Sequence, residues 1–174
     1  MKLYEIKTGK RRVNLLGVLA NVNFFYKKNS ISYKVKFTES SIYDLKHIAG
    51  YGINKLFGLT FGLFGVHKNS VRFGWKPKTN NTIMLYGYCY INGVRKEVEF
   101  REIKINNYYD LTISILPGKY LFKVKSLETF QTDVLEVKYE KIPKFGYVNF
   151  LYFGGTRTNP QNIWIGMEKI KAII

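Results

Sequence analysis

Cysteine occurs once in this chain, at position 89, so no intrachain disulfide can form, which argues against a disulfide-built secreted module. Cys89 lies in mid-strand between Tyr88 and Tyr90, where a buried, inert thiol is expected. Histidine is almost as scarce. His47 and His67 have no His, Cys or Asp at metal-ligand spacing, which argues against a zinc centre. A Ser70/His67/Asp44 triad can be written down, but no G-x-S-x-G elbow supports it, and His67 reads as a hydrogen-bonding turn residue. No phosphate-binding loop or dinucleotide fingerprint occurs, because the glycines lie in strands and do not lead into helices. No cofactor is expected. Long apolar runs are missing too. Leu15 to Phe25 is interrupted by Asn21 and Asn23 and is too short to span a bilayer. Met1 to Lys7 alternates like a strand, with no apolar signal core. Neither a signal peptide, a transmembrane segment nor membrane insertion is expected.

The helical period is nearly absent as well; Tyr43–Asn54 alone reads as short helix or irregular chain. What the sequence does have is period two. Apolar and polar residues alternate over Ile31–Phe37, Lys55–Leu63, Ser70–Trp75, Ile83–Ile91, Arg95–Ile103, Tyr108–Leu116, Lys119–Lys125, Leu135–Tyr139, Tyr147–Phe153 and Ile163–Ile170. Turn chemistry separates these runs, at Lys28-Asn29, Lys78 to Asn81, Asn106-Asn107, Pro117-Gly118 and Gly154-Gly155. Asn92-Gly93 is the clearest signal, because both residues accept the positive φ of a two-residue hairpin. About ten short strands at this spacing predict an all-β fold: a single antiparallel β-sandwich of jelly-roll type. At this length one domain covering 1–174 buries roughly 70% of its unfolded surface. Residues 1–28, with Lys10-Arg-Arg12, read as an arm or an added strand pair. Glycines inside strands at 58, 62, 74 and 87 point to bulges or close backbone approach.

Lysine and arginine outnumber acids by 28 to 12, giving a net charge of +16 that suits a polyanion. The competing reading is a solvated face. Lysines recur at alternate positions in Tyr33–Phe37 and Phe122–Lys125, where they also discourage edge-to-edge pairing. Aromatics reach 17% and offer flat faces for sugars or bases. Phe57, Phe61, Phe73, Tyr86, Tyr88 and Tyr90 are expected in the core, and Tyr26, Trp75, Tyr108, Tyr109 and Tyr152 at exposed turns. Arg72, Trp75, Lys76 and Lys78 near one strand end, with Arg157 after the Gly154-Gly155 turn, complete the candidate ligand-binding set. No catalytic or metal residue is assigned.

One carboxylate pattern has mechanistic promise. Glu97-Val-Glu-Phe-Arg-Glu102 resembles the E-x-D-x-x-E of laminarinase-type retaining glucanases, whose two working carboxyl groups lie about 5–5.5 Å apart. Glu97 and Glu99 share a face, and Glu102 joins them only across a bulge. Glu99 replaces the aspartate, and Arg95-Lys96 stand where an aromatic is usual. Such a row on a basic hairpin reads first as a solvated face.

The segments Phe57–Gly62, His67–Trp75, Leu85–Gly93 and Tyr152–Gly155 together resemble a group of phage-encoded and bacterial proteins. These share H-K-N-S-x-R-F-G-W, Y-x-Y-x-N-G-x-R and Y-F-G-G, and the resemblance covers roughly residues 30–170. The layout is also similar to concanavalin-like sandwiches, with Ile163–Ile170 as a closing strand. The resemblance implies a phage-associated, non-enzymatic structural or binding protein, in the phage particle or the host cytoplasm. Its partners would be other phage structural proteins or a glycan or anionic surface, and it would act as an oligomer or within a larger assembly. A basic nucleic-acid-binding protein is the first alternative. A carbohydrate-binding or glycan-cleaving sandwich is the second.

Overall fold

The computed structural model describes residues 1–14, 23–43, 52–63, 65–78 and 80–172. Twelve strands occur among them. The first six are β1 (Lys2–Ile6), β2 (Phe24–Tyr26), β3 (Ser30–Phe37), β4 (Asn54–Phe61), β5 (Ser70–Pro77) and β6 (Thr82–Ile91). The rest are β7 (Val94–Lys104), β8 (Tyr109–Leu116), β9 (Lys119–Ser126), β10 (Thr132–Lys138), β11 (Phe145–Asn149) and β12 (Ile163–Lys169). Both central residues of the β6–β7 turn have positive φ, 51° at Asn92 and 84° at Gly93. That twist matches the strands it joins, so ten register pairs follow without a connecting loop.

Two six-stranded antiparallel sheets result. Sheet A runs β1-β12-β3-β8-β9-β10, and sheet B runs β2-β11-β4-β5-β6-β7. Their packing makes a β-sandwich of jelly-roll type. The sequence pattern shows about ten of these strands. The additional β1 and β2 come from the N-terminal stretch and join different sheets, β1 along β12 and β2 along β11. Within the expected irregular segment 43–54, positions 44–51 lie outside the described residues, and Asp44 and His47 with them. Among the described residues, no helix is long and apolar enough to cross a membrane.

The two inner faces interlock through aromatic rings. Phe73 meets Phe122 edge-on at 5.2 Å, Phe37 meets Trp75 at 5.1 Å, and Phe61 stacks on Tyr120 at 6.1 Å. Gly87, in the middle of β6, makes room for this. A Cβ there would lie 2.7 Å from Leu135 and 3.2 Å from the Phe122 ring. At the open edges, Arg101 of β7 reaches across to Asp133 of β10 at 3.0 Å and ties one sheet to the other. The outer face of sheet A carries the alternating lysines. Lys34 and Lys125 flank Asp110 in register across β3, β8 and β9.

Two expectations about exposure fail here. Trp75 is 0% exposed, because in β5 it keeps step with Val71 and Phe73 on the inner side. Tyr109 is also buried, and its hydroxyl accepts a hydrogen bond from the Lys104 N–H at 3.2 Å. Neither presents a face to a ligand.

Candidate functional site

Strand parity builds the site on the outer face of sheet B. In β5, Arg72, Gly74 and Lys76 alternate with the inward Phe73 and Trp75. Antiparallel pairing then sets Asn149, Gly58, Arg72, Tyr88 and Glu97 in one row across five strands. On either side run the rows Tyr147–Thr60–Ser70–Tyr90–Arg95 and Lys55–Gly74–Tyr86–Glu99. Lys55 reaches this face through a bulge in β4 between Lys55 and Gly58. Leu56 and Phe57 both turn inward there, which leaves Lys55 outside.

The row has no side chain at position 58, and Arg72 uses the space. A Cβ on Gly58 would stand 2.6 Å from the Arg72 Cγ and 2.0 Å from the Val71 carbonyl oxygen. The arginine stem therefore lies flat on the sheet. Tyr86, Tyr88 and Tyr90, expected in the core, point the other way. Tyr86 and Tyr88 are buried against Ile53 in a small cluster of their own, with Met84 and Tyr90 beside them. Burial alone misleads at these positions, since the outer face of this sheet is itself partly covered.

Cations and tyrosines alternate along the resulting groove. The Arg72 guanidinium stands 4.9 Å from the Tyr88 ring centroid, and the Lys55 ammonium stands 4.4 Å from it. Lys55 is also 6.0 Å from the Tyr152 ring, and Arg12 lies 5.5 Å from that same ring. Backbone bridges join Tyr152 to both Arg12 and Lys55. The groove encloses about 340 Å³, with Asn149, Tyr147 and His67 completing its walls. Asn149 is held by a 2.6 Å hydrogen bond to the Thr60 hydroxyl, and His67 meets Tyr90 edge-on at 4.9 Å.

Neither buried cation forms an ion pair among the described residues, although the Glu97 charge acts favourably on Lys55. Arg72 is 6% exposed, and its Nε and Nη2 have no hydrogen-bond partner among the described residues. The Lys55 ammonium donates to the Ile53 carbonyl at 2.6 Å. None of the four ion pairs among the described residues includes Arg72 or Lys55. The electrostatics follow. Desolvation, then the neighbouring Arg72 charge, lowers Lys55 to about 8. Desolvation also lowers Arg72, although a guanidinium starts too high to lose its proton near neutrality. Burial and a hydrogen bond with Tyr90 push the Tyr88 phenol up to about 12, so it is neutral at physiological pH.

The candidate ligand set is only partly assembled. Arg72 and Tyr152 both line the groove, and Lys76 sits on the same face of β5. Lys78 follows the end of that strand, and Arg157 is exposed beyond the Gly154-Gly155 turn. Tyr109 begins β8 of sheet A, and Tyr108 immediately precedes it. Tyr108 is exposed there, with the Lys36 ammonium 5.1 Å from its ring. Sequence reasoning misses Lys55, Tyr88 and Asn149. Counting parity from Arg72 would have separated it from Trp75, three positions away, but the β4 bulge leaves no such mark.

The β7 carboxylates do share a side. A bulge between Leu85 and Tyr86 leaves Phe100 as the extra residue, so Glu97, Glu99 and Glu102 pair with Tyr88, Tyr86 and Met84. Each has a neighbour: Arg95 at 3.2 Å from Glu97, the Tyr86 hydroxyl at 3.0 Å from Glu99, and the Thr82 hydroxyl against Glu102. Among the described residues, no group of three or more His, Cys, Asp or Glu is placed to hold a metal ion.

No known protein family matches the sequence, and no curated protein matches it significantly. Solved structures do share the fold. An alginate lyase from Klebsiella pneumoniae superposes with a TM-score of 0.57 at 7% identity, over 83% of this chain and 60% of the lyase. The chain thus spans less than two thirds of that enzyme. A functionally unknown protein from Saccharomyces cerevisiae gives 0.54 at 8% identity, over 87% of this chain and 74% of that one. Scytalido-glutamic peptidase gives 0.51 at 9% identity, over 86% and 81%. At such identities the likeness establishes the β-sandwich and nothing about chemistry.

Proposed function

We propose that this protein is a non-enzymatic binding module that grips an acidic glycan in the groove on sheet B, as an attachment protein of a phage particle would. One observation carries the reading: Arg72 lines that groove, and its Nε and Nη2 are buried with no hydrogen-bond partner among the described residues. Those two N–H bonds form the side-on fork that fits both oxygens of a carboxylate. A buried cation without an anion costs several kcal/mol. A ligand carboxylate would satisfy both donors and the charge, and Lys55 would add a second attraction. Tyr147 and Tyr152 offer faces on which a sugar ring can lie.

Binding is the reading favoured because cations and tyrosines, rather than carboxylates, line the groove. The β7 carboxylates, for their part, are each engaged by a neighbour. The phage setting rests on the sequence motifs, since a fold shared by a lyase and a peptidase leaves the ligand open.

The test is a titration of short oligouronates, a neutral oligoglucan and single-stranded DNA at about 50 and 200 mM salt. Oligouronate binding that weakens by less than about tenfold, with none to the neutral sugar, is expected for two neutralised charges. Arg72→Met should weaken it about a hundredfold. Unchanged affinity in that variant overturns the site. DNA binding that drops a thousandfold between the two salts would instead make nucleic acid the partner.

A further inference from the structure

The groove does not end at Tyr152. Tyr152 and Arg12 also line a second, larger cavity of about 1130 Å³, which wraps edge strand β1 and the segment after it. Its charges are one-sided. Lys2, Lys7, Lys10, Arg11 and Arg12 face it, against the single acid Glu5. Arg11 is committed to the fold, donating to the Tyr152 hydroxyl and to the Gly155 and Thr156 carbonyls. Lys7, Lys10 and Arg12 are exposed, and none takes part in the four ion pairs among the described residues. Trp164, 38% exposed, adds an indole face to the wall.

The alternation of Arg72, Tyr88, Lys55, Tyr152 and Arg12 therefore runs from a buried fork into an open basic cleft. A single acidic sugar would engage only its start. We infer that the two cavities form one continuous site for an extended polyuronate chain, in which Arg72 clamps one carboxylate and Arg12, Lys10 and Lys7 meet carboxylates further along. This rests on the acidic-glycan reading of the groove. It adds to that reading a ligand length and a second set of residues. Spaced, exposed cations add affinity only when the charges they meet are covalently linked, because later contacts are then intramolecular.

Calorimetric titration with oligogalacturonates and alginate oligomers, from two to about ten residues, tests the extension. Affinity should climb by at least tenfold with length before levelling off. The double variant Lys7→Ala/Lys10→Ala changes two exposed side chains and should keep its thermal transition. It should lose about tenfold on the longest oligomers and nothing on the disaccharides. Arg72→Met should lose affinity at every length. Equal affinity at all lengths, together with an inert double variant, would overturn the extension and leave the groove standing. No binding of any oligomer to the wild-type protein would overturn both.

Discussion

The Lys55 ammonium lies 4.4 Å from the centre of the Tyr88 ring, on a sheet face where the register also sets Arg72 beside the same tyrosine. One aromatic ring thus serves two buried cations, neither of which forms an ion pair among the described residues. Desolvated cation–π contacts contribute about 2 kcal/mol each, which offsets part of the cost of burying the charges.

That shared role predicts a coupling. Tyr88→Leu should destabilise the protein by about 2–4 kcal/mol, while Tyr88→Phe, which keeps the ring, should cost much less. In urea unfolding, the cycle of Tyr88→Leu with Arg72→Met should show a coupling of about 1–2 kcal/mol. A coupling near zero would mean that the ring and the guanidinium are merely adjacent.

Lys55 makes both stability and binding depend on pH. Its folded-state value near 8 is below the ordinary 10.5, so between these values the unfolded chain binds more protons. Its contribution to stability is therefore least favourable below about pH 8 and improves as pH rises towards 10.5. Relative to wild type, Lys55→Met should gain stability at pH 7 and lose that gain by pH 10.5. Anion affinity should run the opposite way. It should be level below pH 8 and fall above it by up to about tenfold per pH unit, a fall that is absent in Lys55→Met. Denaturant titrations and calorimetry at pH 7, 9 and 10 read both.

Gly58→Ala should be among the most damaging single-methyl changes in the chain. The new Cβ would meet backbone on the neighbouring strand, with the Val71 carbonyl oxygen at 2.0 Å and Arg72 Cα at 2.6 Å. A loss of about 3 kcal/mol is expected in urea unfolding. A change below about 0.5 kcal/mol would show that β4 and β5 can part there at no cost.

Trp75 should behave as core. Trp75→Ala removes a ring packed edge-on to Phe37 at 5.1 Å and to Tyr43 at 6.3 Å, so a loss of about 3–5 kcal/mol is expected. Trp75→Phe should cost less and leave oligouronate affinity unchanged. A specific loss of affinity in a stable Trp75→Phe protein would restore Trp75 to the site.

Cys89 is buried, and desolvation pushes its thiol up to about 12. The native protein at pH 8 should therefore resist a thiol-modifying reagent, with full reaction once it is unfolded. Fast native labelling would show that β6 opens readily to solvent.

Much of the fold was legible in the sequence, because a strand writes its two faces into alternate residues and a turn needs its own chemistry. The Asn92-Gly93 hairpin, most of the strands and the sandwich all follow from those local rules. The acidic row on β7 was legible in the same way, down to the bulge that Glu102 needs. The groove was not. Tyr86, Tyr88 and Tyr90 alternate as core residues do, yet they face outward. Period two states which residues share a face and is silent on which face meets the other sheet. Tertiary structure alone placed Lys55 beside Tyr88, because a β4 bulge reverses the parity there and the register of three antiparallel strands brings distant residues together. It also decided that Arg72 would be buried with no ion pair among the described residues, since burial depends on what covers a residue and not on its neighbours in the chain.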